Sequence, residues 1–179
     1  MAKILVPIAN GFEEIEAISV IDICRRAGIE VVTAGVEDKV LIGAHNIKIE
    51  MDKKIDEVKS SDFDMIVLPG GLPNAFTLAD DNDVQRLLKE FEEKNKKIGA
   101  ICAPYALHKA GVLNQNYTCY PSFEKKIKDD GYQDDKNVVT DNNVITSRGP
   151  ATAIDFALEI VKTLKGDDIY FQVKTGLLA

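Results

Sequence analysis

The chain has 179 residues, 45% of them apolar, with a formal net charge of −7. That length supports one domain over 1–179 that needs no disulfide or metal to fold, and an acidic chain without a Lys/Arg block excludes nucleic acid and anionic membranes as expected partners. No apolar run is long enough to span a bilayer, and Met1-Ala2-Lys3 leads into a short apolar stretch with no signal-peptide core, so a cytoplasmic protein is expected.

Ile4, Leu5, Val6 and Ile8 predict a buried strand over 3–9, ended by Asn10-Gly11. A helix follows from Glu13 to Ala27, with acids in its first turn, Arg25 and Arg26 in its last, and Gly28 as its stop. The Val-rich run Ile29 to Ala34 is a second strand, so the first 34 residues form a β-α-β unit with parallel strands. Residues 36–50 make a small β excursion around Gly43. Met65 to Leu68 is a strand closed by Pro69-Gly70-Gly71. Val84, Leu87, Leu88 and Phe91 mark a helix within 83–96. Lys97 to Ile101 is a strand, Pro104 to Ala110 a short helix, and Tyr117 to Tyr120 a further strand. Val138 to Thr140 and Val144 to Thr146 flank a hairpin turn, and Ala151 to Leu164 is an amphipathic helix. Such alternation means an open, mostly parallel sheet covered on both faces, with its site beyond the C-terminal ends of the strands.

Cys102 stands at one of those ends, where a strand gives way to a helix within one or two residues. Gly99, Ala100 and Ala103 surround it with small side chains, as a tight turn requires. The layout is that of a nucleophile elbow with cysteine in place of serine. Pro104 suits the first turn of the helix that follows. A thiol over a helix N-terminus is expected to have a depressed pKa. Cys24, on the apolar arc of the first helix, and Cys119, in a predicted strand, read as buried structural thiols. Three cysteines and only two histidines, without metal-ligand spacing, give no zinc site and suit a reducing compartment.

Glu16 breaks the pattern of its helix. It shares a face with Val20, Ile23 and Ala27, while Asp22, Arg25 and Arg26 mark the polar side. A carboxylate on an apolar stripe is costly without a partner or a task. Burial raises its pKa, which suits a proton shuttle. Glu13 and Glu14 read as partners of the helix dipole. Gly70 and Gly71 let the backbone turn and offer N–H groups to an anion. Neither a Walker loop nor a dinucleotide-binding glycine pattern is present. His108 falls on an expected helix surface, and His45 lies in the β excursion. Ser147-Arg148-Gly149-Pro150 either caps the last helix or lines a pocket rim.

Taken together, Gly11-Phe12-Glu13-Glu14-Ile15-Glu16-Ala17, Arg25-Arg26-Ala27-Gly28-Ile29, Val67-Leu68-Pro69-Gly70-Gly71, Ala100-Ile101-Cys102-Ala103-Pro104 and Thr146-Ser147-Arg148-Gly149-Pro150 resemble the ThiJ/PfpI superfamily. Within it, the chain is similar to the branch of the parkinsonism-associated protein deglycase and its bacterial relatives. The resemblance implies a flavodoxin-like three-layer α/β sandwich acting as a homodimer. It implies that Cys102 is the reactive, oxidisable cysteine and Glu16 the glutamate that hydrogen-bonds it. The amides of Gly71 and Ala103, with Gly70 beside them, are implied to surround the sulfur. One departure is Tyr120-Pro121, where the parkinsonism-associated member has His-Pro; a Cys-His dyad therefore has no support here. Tyr120, Arg148 and Pro150 remain as rim residues.

The resemblance implies cofactor-free processing of reactive dicarbonyls, on a small aldehyde or a glycated protein. The leading expectation is attack of the Cys102 thiolate on methylglyoxal, with amides of Gly70, Gly71 and Ala103 at the oxyanion and Glu16 moving the proton. A redox sensor or chaperone using the same oxidisable cysteine is the second expectation. A cysteine peptidase or amidase comes last.

Overall fold

The computed structural model describes residues 1–128 and 130–179. Its strands are β1 Lys3–Ile8, β2 Glu30–Gly35, β3 Val40–Ile42, β4 Lys48–Glu50, β5 Lys53–Lys54, β6 Met65–Leu68, β7 Lys97–Ile101, β8 Val138–Asp141 and β9 Val144–Ser147. The helices are α1 Glu14–Arg26, α2 Asn74–Asp80, α3 Asn82–Glu93, α4 Tyr105–Ala110, α5 Glu124–Ile127, α6 Ala153–Lys165 and α7 Asp167–Leu177. Among the described residues, no helix is long and apolar enough to cross a membrane.

Seven strands form one sheet in the order β5-β2-β1-β6-β7-β9-β8, parallel throughout except for the antiparallel β8–β9 hairpin. The central strands read as continuous apolar runs because both faces are covered. Alternation then divides each strand between two cores. Ile4, Val6, Ile8, Met65 and Val67 point to the layer of α1 and α6, where they meet Val20, Ile23, Phe156 and Val161. Leu5, Ile66, Leu68, Ile98 and Ala100 point to the opposite layer, with Leu78 of α2, Leu87 and Phe91 of α3 and Leu107 of α4. Each fully buried side chain of this size stabilises the fold by about 1.5–3 kcal/mol relative to exposure. The result is the flavodoxin-like three-layer sandwich, with β3 and β4 as a separate antiparallel hairpin.

One expectation is corrected, and two helices lie where the sequence reading placed no element. Tyr117 to Tyr120 is not a strand: Tyr117, Thr118 and Cys119 are buried, but this segment makes only an isolated bridge from Tyr117 to Tyr132. Its apolar character serves packing rather than a ladder. α2, directly after the glycine turn, lies in a segment to which the sequence reading assigned no element. α7 also went unforeseen: Val173 is its one buried residue, with Ile169, Tyr170 and Leu177 packed part-buried against the same core.

Candidate active site

Four neighbouring strands, β1, β6, β7 and β9, deliver the turns 9–11, 69–71, Cys102 and 148–149 to one edge of the sheet. Cys102 adopts φ +72°. That left-handed conformation costs roughly 1–2 kcal/mol for a non-glycine residue. It is held from both sides: the Cys102 N–H donates to the Ser147 carbonyl at 2.9 Å, and its carbonyl accepts from the Tyr120 N–H at 2.7 Å. The nucleophile-elbow geometry is thus present, although α4 spans only six residues.

Glu16 is 0% exposed. The register of α1 carries it inward, and the Glu13 side chain caps the helix by accepting the Glu16 N–H at 2.8 Å. Glu16 Oε2 accepts the Gly70 N–H at 2.8 Å. Oε1 is buried without a regular hydrogen-bond partner, and the Cys102 thiol is the titratable neighbour of this carboxyl. Gly70 makes the meeting possible. A Cβ at this position would lie 2.5 Å from Cys102 Cβ and 2.7 Å from Glu16 Oε2. Asn74, wholly buried at the start of α2, ties the turn down. Its side chain donates to the carbonyls of Pro69 at 2.8 Å and Gly70 at 3.0 Å, and accepts the Ala9 N–H at 2.8 Å. Sequence reasoning missed this positioning residue because the helix that presents it was not foreseen.

The whole-chain likenesses agree with this geometry. The model of the DJ-1/PfpI family matches residues 2–163. The chain belongs to the DJ-1/PfpI family. Protein dj-1beta of Drosophila melanogaster is 41% identical over 178 residues, covering 97% of this chain and 95% of that protein. A Caenorhabditis elegans relative named glutathione-independent glyoxalase DJR-1.2 is 39% identical, covering 93% of this chain and 90% of that protein. The crystal structure of Drosophila melanogaster DJ-1beta superposes with a TM-score of 0.95 at 40% identity, covering 99% of this chain and 98% of that one.

In this DJ-1/PfpI chain the amides divide their work differently from the sequence expectation. The Gly70 N–H is directed to Glu16, and the Ala103 N–H donates to the Ile101 carbonyl at 2.8 Å. Only the Gly71 N–H, of the three, faces the sulfur. Gly70 and Ala103 therefore shape the turn rather than offer a free oxyanion donor.

Burial raises the Glu16 carboxyl from 4.5 to about 7; the Gly70 N–H opposes the rise, the Glu13 charge adds to it, and the thiol opposes it. The expected depression of the Cys102 pKa is not met. Burial and the Glu16 charge hold the thiol up, against the Gly71 N–H. The short α4 supplies too little field to reverse this. The part of the rise due to the Glu16 charge falls away when that carboxyl is protonated. Cys24 and Cys119 are both pushed up to about 12, in each case by burial first.

His45 donates its amide to Glu14 Oε1 at 2.6 Å, and its Nδ1 lies 2.9 Å from Glu14 Oε2. Glu14 thus pins the β3–β4 hairpin to α1, beyond the dipole role expected of it. Glu13, Glu14 and His45 are also the donors, among the described residues, grouped closely enough to hold a metal ion. Hydrogen bonds to the hairpin and to the Glu16 N–H account for both carboxylates without one. His108 is exposed on α4. Tyr120, Arg148 and Pro150 line one cavity of about 250 Å³ beside the cysteine turn.

Proposed function

We propose that this chain is a cofactor-free, glyoxalase-type enzyme that converts small dicarbonyls such as methylglyoxal into hydroxy acids without glutathione. The observation that carries this reading is the wholly buried Glu16, raised to about 7, against the Cys102 thiol. The glyoxalase name of the Caenorhabditis elegans relative supports it.

In this mechanism the Cys102 S–H proton passes to the Glu16 carboxylate, and the thiolate adds to the aldehyde carbon. The Gly71 N–H, which faces the sulfur, is the donor best placed for the developing oxyanion. The protonated Glu16 gives its proton to that oxygen, which yields a hemithioacetal and restores the carboxylate. Glu16 then removes the hydrogen on C1 and returns it to C2, leaving a lactoyl thioester on Cys102. Water hydrolyses the thioester, releases lactate and restores the thiol. The sequence is redox-neutral overall, and each proton leaves from and returns to the Glu16–Cys102 pair or to solvent.

The test is methylglyoxal consumption with lactate detection. Wild type is expected to turn over, and Cys102→Ser to lose at least a hundredfold, on the order expected for a nucleophile. Lactate formation that survives Cys102→Ser at wild-type rate sinks this mechanism. The same attack on a glycated side chain extends the reading to protein substrates.

A homodimer fits the apolar face that α1 and the hairpin expose: Ile15, Ile18, Ile42 and Ile47 are each 43–57% exposed. Light scattering after gel filtration would read about twice the chain mass.

The redox-sensor reading is favoured by the same sulfur contacts, since the Gly71 N–H and a protonated Glu16 both suit an oxygen on sulfur. Graded peroxide with intact-mass readout tests it, and oxidation of Cys102 no faster than Cys24 removes its basis. The peptidase reading has no imidazole in support: His45 pairs with Glu14, and His108 faces outward.

A further inference from the structure

The chain has four arginines. Arg25, Arg26 and Arg86 each pair with a carboxylate: Asp52 at 3.6 Å, Asp22 at 2.7 Å, and Asp83 with Glu90 at 2.9 Å each. Arg148 is different. Among the described residues it forms no ion pair and no side-chain hydrogen bond, in a protein with net charge −7. Its charge reaches the buried Cys119 and the half-buried Tyr132. Glu124 shares those surroundings, yet it lies beyond ion-pair distance of Arg148.

Arg148 lines the cavity of about 250 Å³ together with Tyr120, Pro121, Asn137, Pro150 and Thr152. This cavity adjoins the reactive pair through two residues. Tyr120 contributes its ring to the wall and its N–H to the Cys102 carbonyl. Gly149 contributes the partition. A methyl group on Gly149 would lie 3.2 Å from the Tyr120 ring and 3.9 Å from Glu16 Oε1. Gly149 thus lies between the cavity wall and the Glu16 carboxyl. At about 30 Å³ per water molecule, the space exceeds what a methyl tail fills. Its walls combine an aromatic ring and two prolines with one cation and one amide. That is the composition of a site for a short apolar linker ending in an anion. A planar guanidinium matches a carboxylate with two parallel hydrogen bonds.

We propose that this cavity is a specificity subsite, in which Arg148 takes the carboxylate of an α-oxoaldehyde whose aldehyde end lies at Cys102. The assignment deepens the glyoxalase reading and rests on it for the aldehyde end alone. Tyr120 and Pro150 pack on the linker, Asn137 and Thr152 supply further polar contacts, and Arg148 is a specificity residue rather than a catalytic one.

The experiment compares kcat/KM for 4,5-dioxopentanoate with that for its methyl ester, which keeps the chain and removes the charge. Calorimetry with glutarate, which has no aldehyde, measures the carboxylate contact apart from turnover. Wild type is expected to favour the free acid by about ten- to a hundredfold, the range of a hydrogen-bonded charge pair. Arg148→Gln is expected to bring that ratio to about one, and Arg148→Lys to recover part of it. Arg86→Gln, which removes the same charge from α3, is expected to leave the ratio unchanged. Thermal melts confirm that each variant is folded. If wild type turns over both compounds equally and glutarate does not bind, the subsite is wrong while the glyoxalase reading stands. If no aldehyde is turned over but glutarate binds wild type and not Arg148→Gln, the subsite stands and the glyoxalase reading falls.

Discussion

Two carboxylates in the first turn of α1, Glu14 and Glu16, are both buried, yet they titrate in opposite directions. At Glu14 burial resists ionisation, but the His45 ring, the His45 amide and the Ile47 amide outweigh it and hold the carboxyl below 4.5. At Glu16 burial prevails over a single backbone donor, Gly70, and the carboxyl rises to about 7. Glu16 lies deeper and meets fewer donors, and both differences push it the opposite way from Glu14. One side of α1 therefore holds a fixed anion that fastens a hairpin. The other holds a proton that can move near neutral pH. Desolvation alone makes neither a catalyst nor a strut.

The largest test of this contrast replaces the moving proton's partner. Glu16→Gln keeps the shape and the Gly70 contact but cannot shuttle a proton. Its kcat for methylglyoxal is expected to fall by about 10²–10³-fold, within the usual range for general acid–base catalysis. Glu14→Gln should fall far less in the same lactate assay. Equal losses would erase the distinction.

Stability gives the next test. A carboxyl raised in the folded state binds a proton that the unfolded chain has already lost between pH 4.5 and about 7. Its contribution is fully present below 4.5 and is lost as pH rises through about 7. A shift of this size corresponds to roughly 3 kcal/mol. Urea unfolding of wild type at pH 4.5 and pH 8 should show that decline, and Glu16→Gln should flatten it. An equally steep decline in the variant would falsify the assignment to Glu16.

Gly70→Ala tests the shared wall. The added methyl meets both Cys102 Cβ and Glu16 Oε2, so a destabilisation of about 1–3 kcal/mol is expected by denaturant titration, with loss of turnover. The smallest effect is on the hairpin side. Glu14→Gln should let the His45 pKa, raised by that carboxylate, fall back toward 6.5 in an NMR titration. It should also speed amide exchange at His45 and Ile47. A His45 pKa that stays put in Glu14→Gln would assign the shift to another group.

How much of this was legible in the sequence follows the same physics. Glu16 stood out because a charge on an apolar helical stripe is expensive, and Cys102 because small residues crowd a strand-to-helix turn. The central strands of the sheet were visible as apolar runs, since both faces are covered, whereas the edge strand β5, two exposed lysines, was not. α2 was hidden behind Pro73, with too few residues to show a period. α7 was hidden by its exposure. The division of labour among Gly70, Gly71 and Ala103 was not legible. An N–H is written into every residue, and only the fold decides which acceptor it meets. The direction of the thiol pKa was misjudged for a related reason: the helix was visible, while the burial of the sulfur and the charge of Glu16, from a distant part of the chain, are set by the fold.

The backbone clamp on Cys102 has a practical consequence. Its carbonyl is fastened to the Tyr120 N–H while its sulfur faces Gly71 and Glu16. Any adduct or oxygen added to the sulfur must be accommodated with that peptide group anchored. The Tyr120 amide resonance is thus a built-in spectroscopic gauge. It allows the occupancy of the sulfur to be followed in real time by ¹⁵N NMR, without attaching a label near the thiol.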